Sequence, residues 1–198
     1  AGGQQDLEVV YDLEGVDIRG GKTLVLTGVD DAADNDANAL SVYLTGEGDL
    51  RIAGNTVRLK HTEHGSDYKG ETTVSTGAVL YAEAGALGDT DMLNVKSRAQ
   101  TRVEGNNRVY GLSVAADGDL VVGSSDSLST GSDIVLTIES KIGEEQSREA
   151  NVISGRLYGD GTVKVVGNGQ VDGFAADLEI IGSQASYRGD LELENGAW

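Results

Sequence analysis

The stretch GSDYKGETTVSTGAVLYAEAGALG, residues 65–88, determines the fold that the sequence predicts. It opens with a polar, glycine-containing turn of the kind that interrupts strands. The strand-forming run 72–75 follows and ends at Gly77, and a second apolar run, 79–81, leads to a small-residue corner at 84–88. Short strands separated by sharp corners predict a chain that winds in a coil instead of folding back as a hairpin.

The same pattern returns near the end of the chain. Residues 186–197 repeat the residue types of 67–78 without a gap: aromatic, base, glycine, acid, an alternating strand, then glycine and alanine. The segments that precede the two copies, 44–54 and 157–167, also resemble each other. Self-similarity of this kind predicts a repeat architecture.

Strand-like runs recur along the rest of the chain with no convincing amphipathic helix, which fits a solenoid or a β-sandwich. The short corners and the scarcity of hairpin signals favour the solenoid, and the sandwich remains the rival fold. A coil of roughly 20 to 25 residues would give about eight or nine rungs, stacked about 4.8 Å apart.

The repeated unit resembles the passenger-associated transport repeat of bacterial autotransporters, the self-secreting surface proteins of Gram-negative bacteria. One departure is Val79 before Leu80, where that family often has glycine and leucine. The second copy stops at Trp198, before its corner, which predicts a fragment of a longer passenger. The residues that carry the resemblance are Tyr68, Gly70, Gly77, Leu87, Gly88, Tyr187, Gly189 and Gly196.

The resemblance implies an all-β fold: one right-handed parallel β-helix over residues 1–198, exported through the periplasm and displayed outside the cell. Its partners would be itself, a host-cell or matrix surface, and the outer-membrane translocator barrel of the parent chain. The implied work is adhesion, self-association in biofilms or a structural stalk. A segment near the end of a passenger also acts as a folding template (autochaperone), for which 134–138 and 157–181 are the candidates.

Composition limits the classes of function. The chain has 198 residues, 29 glycines, no proline, no cysteine and a formal net charge of −18. Absent proline suits central strands with complete hydrogen-bond ladders, and the negative charge argues against nucleic-acid or anionic-membrane partners. Absent cysteine excludes disulfides, thiol catalysis and zinc–thiolate sites. No apolar run reaches membrane-spanning length, and residues 1–6 lack a signal-peptide pattern.

Candidate chemical motifs each have a simpler interpretation. Asp34, Asp36 and Asn38 alternate as in a calcium loop, but alanine and threonine stand where that loop needs glycine and glutamate. His61 and His64 lack further ligands at a suitable spacing and are interpreted as surface residues. We therefore predict no metal and no cofactor.

The tripeptide 188–190, Arg-Gly-Asp, spells an integrin-recognition motif, but the first copy has Lys-Gly-Glu in its place. It is therefore interpreted as part of the corner. No Gly-x-Ser-x-Gly elbow is present, and aromatic residues make up only 5% of the chain, which is few for a sugar-binding cleft. We predict that the segment is not an enzyme. The alternative is a β-helical polysaccharide-cleaving enzyme or a phage tail-spike fragment, which acids grouped beside lysine or arginine in a groove would support.

Two segments are predicted to form contact surfaces, and outer ladders of Asp, Asn and Thr would suit self-association. The first segment is the acidic loop 30–38, and the second is a break in the strand pattern at 140–154, interpreted as a protruding insertion. The predicted contact residues are Asp30, Asp31, Asp34, Asp36, Asn38, Glu144, Glu145 and Arg148.

Overall fold

A computed structural model describes residues 14–29, 38–124, 133–139, 151–167, 178–183 and 186–197. Every regular element in these ranges is a β-strand. No helix there is long and apolar enough to span a bilayer. The strands are β1 Gly15–Asp17, β2 Thr23–Thr27, β3 Ala39–Leu40, β4 Tyr43–Thr45, β5 Asp49–Gly54, β6 Thr56–Leu59, β7 Thr72–Val74, β8 Val79–Ala82, β9 Leu93–Val95, β10 Gln100–Val103, β11 Asn107–Val109, β12 Leu112–Val114, β13 Asp119–Val122, β14 Val135–Glu139, β15 Asn151–Ile153, β16 Arg156–Gly159, β17 Thr162–Val166, β18 Leu178–Ile180, β19 Ser186–Tyr187 and β20 Leu191–Glu194.

The described strands form two long parallel sheets and two smaller ones. Sheet 1 has seven strands in the order β2-β5-β7-β9-β12-β15-β18, and sheet 2 has seven in the order β3-β6-β8-β10-β13-β16-β19. Sheet 3 is β11-β14-β17-β20, and β1 pairs with β4 alone. Consecutive strands of the chain enter different sheets, and each pairs in parallel with a strand one coil later. This all-β arrangement is compatible with a β-helix or solenoid and differs from the hairpins of a sandwich.

The coil length varies more than the sequence predicts. In sheet 1, Leu50 pairs with Thr72, Thr72 with Leu93, and Leu93 with Leu112. Those coils of about 20 residues agree with the prediction, whereas Asp119 pairs with a residue 37 positions later, Arg156. That longer coil includes residues 125–132 and 140–150, which lie outside the described ranges. The described residues contribute seven rungs to each long sheet.

The insertion predicted at 140–154 ends earlier than the sequence suggests. Residues 140–150 lie outside the described ranges, but Asn151–Ile153 are strand β15 of sheet 1. Ile153 is fully buried, and the Asn151 side chain accepts a hydrogen bond from the Leu112 backbone N–H at 2.8 Å. The core coil has therefore resumed by residue 151.

Alternate residues of each strand line a continuous aliphatic interior, as the period-two geometry of a strand requires. In sheet 3, Leu136 and Ile138 are 0% exposed, so the interior positions of strand β14 are deeply buried. Isoleucine, leucine and valine predominate in the interior. The largest fully buried aliphatic side chains are Leu44, Leu50, Ile52, Leu80, Leu87, Leu93, Leu112, Leu120, Leu136, Ile138 and Ile153.

The first copy of the repeat is a corner built around a buried tyrosine. Tyr68 is 0% exposed, and its hydroxyl bonds to Thr72 Oγ1 at 2.7 Å. Gly70 lies against the rung below, where an added Cβ would come within 2.3 Å of the Gly48 carbonyl oxygen. Strand β7 then ends at a turn in which Gly77 has a φ of +78°. This tight packing explains why the motif needs glycine at its second conserved position.

The second copy shares the glycine packing and the turn of the first copy. The hydroxyl of Tyr187 donates to the Gly161 carbonyl oxygen at 2.7 Å, and a Cβ on Gly189 would come within 1.7 Å of that oxygen. Gly196 has a φ of +81°, matching the turn of the first copy. The glycines beneath the two corners, Gly48 and Gly161, are equivalent in the sequence repeat. The glycine packing and the turn are therefore the same in both places, whereas the tyrosine hydroxyl has different partners.

The two copies nevertheless occupy different corners of the coil. In the first, the Lys69 N–H donates to the Gly46 carbonyl after β4, and the chain continues into β7 of sheet 1. In the second, the Arg188 N–H donates to the Gly159 carbonyl at the end of β16, and the chain continues into β20 of sheet 3. The repeat unit can therefore form the corner before a strand of sheet 1 or the corner before a strand of sheet 3.

The corner residues Leu87 and Gly88 also lie where the repeat predicts a sharp turn. Leu87 is 0% exposed, and its backbone N–H donates to the Asn107 side chain at 3.0 Å. Gly88 has a φ of +62° and packs against the ring of Tyr68. The corner of one coil therefore covers the buried tyrosine of the coil before it.

Candidate binding faces

The outer face of sheet 2 carries a column of arginine and tyrosine side chains in register. Arg58 is paired with Tyr81, and Tyr81 with Arg102, on strands β6, β8 and β10. The Arg58 guanidinium carbon lies 4.5 Å from the Tyr81 ring centroid, and that of Arg102 lies 5.5 Å from it. The ring thus has a cation in register on each side, at a distance where the ring quadrupole attracts it.

Acidic side chains surround the first arginine of this column. Arg58 lies 3.5 Å from Glu83 and also pairs with Glu104, and its side chain is only 15% exposed. Burial would lower the pKa of Arg58, but hydrogen bonds and charge from these carboxylates raise it. This end of the column is therefore a neutralised ion-pair network that ties together strands β6, β8 and β10.

The same face continues as a groove over the later rungs. Val121 is paired with Arg102, and Tyr158 with Val121. Beside them, Arg156 binds Asp119 through two hydrogen bonds of 2.7 and 2.8 Å, and its guanidinium lies 5.5 Å from the Tyr158 ring centroid. The groove is lined by Gln100, Arg102, Asp119, Val121, Tyr158, Gly159, Ser186 and Arg188.

The outer face of sheet 1 has a different chemistry. Thr73, Asn94 and Ser113 occupy one column on strands β7, β9 and β12. The Asn94 amide donates to Glu71 at 3.2 Å, and Arg51 Nε donates to the Ser75 hydroxyl at 3.3 Å. A groove on this face is lined by Thr23, Asp49, Leu50, Arg51, Glu71, Thr73, Ser75, Thr76 and Lys96. Two acids and two bases therefore balance within a surface of small polar groups.

Of the predicted contact residues, the structure describes Asn38 alone. Its side-chain oxygen accepts the Val29 N–H at 2.8 Å, and its amide donates to the Val29 carbonyl at 3.2 Å. Asn38 thus joins the two ends of the acidic loop. The remaining predicted residues lie outside the described ranges: Asp30, Asp31, Asp34, Asp36, Glu144, Glu145 and Arg148.

His61 and the Arg-Gly-Asp tripeptide have local structural partners. His61 Nδ1 lies 2.9 Å from the Ala84 carbonyl oxygen, and His61 N–H donates to Glu83 at 3.0 Å. The described residues contain no group of three or more side chains arranged to hold a metal ion. The Arg188 backbone is paired to the rung below, while its side chain lines the groove of sheet 2.

Sequence reasoning missed the arginine–tyrosine column. The residues that form it are 23 and 21 positions apart at Arg58, Tyr81 and Arg102. Because the two spacings differ, no single repeat length aligns all three residues. The unequal later coils hide the continuation to Tyr158, because 37 residues separate it from its neighbour Val121.

The fold and these two faces define a parallel, coiled β protein with polar outer surfaces. No protein-family model matches the sequence, and no solved structure matches it significantly. The chain is similar to the uncharacterized lipoprotein YdeK of Escherichia coli (strain K12), with 37% identity over 103 residues. That similarity covers 52% of this chain and 8% of the relative, so the chain matches only a small part of that protein.

Proposed function

We propose that the chain is a right-handed parallel β-helical segment of an autotransporter-like passenger that works as a self-associating adhesin and stalk. The parallel stacking and the two matching corners support this proposal. The right hand follows from the general preference of parallel crossovers, which are right-handed in about 98% of cases. As a stalk, seven rungs about 4.8 Å apart would extend roughly 29 Å.

The proposed location is the cell surface of a Gram-negative bacterium. The similar protein of Escherichia coli is described as a lipoprotein, which supports a place in the cell envelope. Display outside the cell and attachment to a translocator barrel are the further steps of this proposal. They rest on the resemblance of the corner units around Tyr68 and Tyr187.

One observation carries the self-association: the outer face of sheet 1 is polar and balanced in charge. Asp49 and Glu71 lie with Arg51 and Lys96 around one groove. Two-fold association brings one surface patch against its own copy, so the patch must be self-complementary. A patch with both signs of charge meets that requirement, whereas the net charge of −18 repels most other arrangements.

Sedimentation velocity at several protein and salt concentrations tests this proposal. The expected result is a reversible dimer or higher species that weakens with salt. Thr73→Lys places a long charged side chain in the middle of the sheet 1 face and should shift the sample to monomer. Thr137→Lys makes the same change on sheet 3 and should leave association unchanged. A monomer at every concentration, or equal effects of the two variants, would contradict self-association through sheet 1.

A template role during export is a second proposal, supported by the burial of strands β14 and β17 in sheet 3. Leu136, Ile138, Val163 and Val165 form two interior columns and are at most 1% exposed. Two densely buried strands suit a region that folds first. The test is limited proteolysis during refolding, in which protection of β14 and β17 should precede protection of β5 and β7.

A further inference from the structure

We propose that two copies of the chain associate through sheet 1 about a two-fold axis that passes over Thr73 and runs obliquely across the strands. This inference rests on the proposed self-association and specifies which residues of the two copies face each other. It begins from one acid and one base on the outer face. Asp49 is on β5 and Lys96 directly follows β9, and both line the groove of that face.

Asp49 and Lys96 lie at equivalent positions on opposite sides of Thr73. In the register of sheet 1, Arg51 pairs with Thr73, and Thr73 with Asn94. Asp49 is therefore one strand before Thr73 and two residues towards the start of the strand, whereas Lys96 is one strand after it and two residues towards the end. Alternate residues of a strand share a face. With strands about 4.8 Å apart and two residues spanning about 6.7 Å, each residue lies roughly 8 Å from Thr73.

The described part of the chain leaves both of these charges without an ionic partner. Lys96 is exposed, and the ion pairs of the described residues involve neither Lys96 nor Asp49. The Asp49 carboxylate accepts the Glu71 backbone N–H at 3.0 Å, which does not compensate its charge. An ion pair with a second copy would compensate both.

A single two-fold axis brings both acid–base pairs together at once. In a face-to-face dimer the axis lies in the plane of the interface, and each position faces its mirror position across that axis. An axis over Thr73, perpendicular to the line from Asp49 to Lys96, places Asp49 of each copy opposite Lys96 of the other. The dimer then contains this ion pair twice, and Thr73 faces Thr73 between the two pairs.

The neighbouring polar residues also meet suitable groups about this axis. Glu71 comes within about 3 Å of the Asn94 position of the second copy in projection, and Arg51 within about 3 Å of the Ser75 position. Within one chain the Asn94 amide already donates to Glu71, and Arg51 Nε to the Ser75 hydroxyl. Amide, carboxylate and guanidinium groups each form more than one hydrogen bond. The same two pairings can therefore form between the copies.

The two simpler axes bring like charges together. An axis along β7 preserves the position along the strand, so Glu71 would face Glu71 of the second copy. An axis along the coil preserves the strand, so Arg51 would face Arg51. Like charges that meet across an interface oppose association. The oblique axis avoids both contacts, and it makes the two coils cross at about 70°.

Sedimentation equilibrium of charge-exchange variants tests the pairing in the whole chain. Asp49→Lys and Lys96→Asp should each weaken association about tenfold or more, because like charges then face each other at two sites. An equimolar mixture of the two variants restores both ion pairs and should associate about as tightly as the native chain. Lys164→Asp makes the same charge change on sheet 3 and should alter association less than about twofold. Circular dichroism of each variant verifies folding.

Zero-length cross-linking of the native chain with a carbodiimide provides a second measurement. This reagent joins a carboxylate to an amine only when the two groups are in contact. Within one chain the Asp49 and Lys96 positions are roughly 16 Å apart, so a link between them must join two copies. Mass spectrometry of a mixture of ¹⁴N- and ¹⁵N-labelled chains should find this link with one peptide from each copy.

The outcomes separate this arrangement from self-association itself. A native dimer that yields no link between Asp49 and Lys96, or a variant mixture that associates no better than either variant alone, would overturn the oblique axis. The proposed self-association through sheet 1 would then stand. A native chain that is monomeric at every concentration would overturn both.

Discussion

Thr101 is a polar residue in an aliphatic column, and its replacement by valine should stabilise the protein. It is 0% exposed and lies in register between Leu80 and Leu120 in the interior of sheet 2. Its hydroxyl has no hydrogen-bond partner among the residues that the structure describes. A buried hydroxyl without a partner costs about 1 to 3 kcal/mol, and valine fills the same space with a methyl group.

Thr72 is the matched control. It is also 0% exposed and lies between Leu50 and Leu93 in the interior of sheet 1. Its hydroxyl, however, belongs to a chain of hydrogen bonds. The Thr90 hydroxyl donates to the Gly70 carbonyl oxygen at 2.6 Å, so Thr90 must accept from Thr72 at 2.8 Å. The single proton of Thr72 is then used, and Thr72 accepts the Tyr68 hydroxyl proton at 2.7 Å.

Thr72→Val therefore removes the hydroxyl that accepts from Tyr68 and donates to Thr90. We expect a loss of about 1 to 3 kcal/mol in the free energy of unfolding. Thr101→Val should raise the same quantity by about 1 to 2 kcal/mol, and each kcal/mol corresponds to about 2 to 4 °C in Tm for a chain of this size. Urea unfolding followed by circular dichroism measures both. A loss of stability in Thr101→Val, or equal effects of the two variants, would refute the hydrogen-bond argument.

Three further predictions concern the corners, the pH dependence and the column of sheet 2. Gly70→Ala should destabilise by about 3 kcal/mol because its Cβ meets a carbonyl oxygen of the rung below. A Cβ at Gly77 would meet no atom within 4 Å, but the φ of Gly77 is positive. Gly77→Ala should therefore lower the free energy of unfolding by about 1 kcal/mol. Burial raises the pKa of Tyr187 from 10.0 to about 12. The unfolded chain therefore loses that proton first, and stability should fall as pH rises from 10 to 12. Tyr187→Phe should make the fall shallower in urea titrations across that range, and an unchanged slope would contradict it. Arg58→Lys should cost about 1 kcal/mol, since the stacked guanidinium and its paired carboxylates need a planar group. Arg51→Lys, at an exposed site, should change stability by less than about 0.5 kcal/mol.

The sequence predicts the local units of this fold better than their arrangement. The strands at 72–74 and 79–82, the turn at Gly77 and the corner at Gly88 follow from glycine positions and strand-forming runs. These features depend on residues that are adjacent in the chain, so a short sequence pattern can predict them. The rung count and the end of the insertion before Asn151 depend on which strands pair across 37 residues. A local sequence pattern does not predict such long-range strand pairing.

The candidate faces are harder to predict for the same reason. A binding face on a coiled sheet is assembled from one residue per rung, so its members are separated by whole coils. Arg58, Tyr81 and Arg102 form one surface although they are 23 and 21 residues apart in the sequence. The low aromatic content of the whole chain, 5%, conceals the fact that Tyr81 and Tyr158 lie in one column. The composition of the chain is an average over all of its faces, whereas a binding partner contacts only one face.

The placement of the two repeat copies explains how a short motif can recur at different positions of a coil. Tyr68 and Tyr187 precede different sheets, yet each is followed by a glycine packed on the glycine of the rung below. The requirements of the unit are a tyrosine hydroxyl that satisfies polar groups inside the corner and a residue without a Cβ where two backbones meet. Any corner that brings successive rungs into this contact imposes the same residues. The repeat therefore marks a place where the chain turns directly above the preceding rung. Its presence in a sequence predicts the position of a corner, but it does not predict which sheet follows that corner.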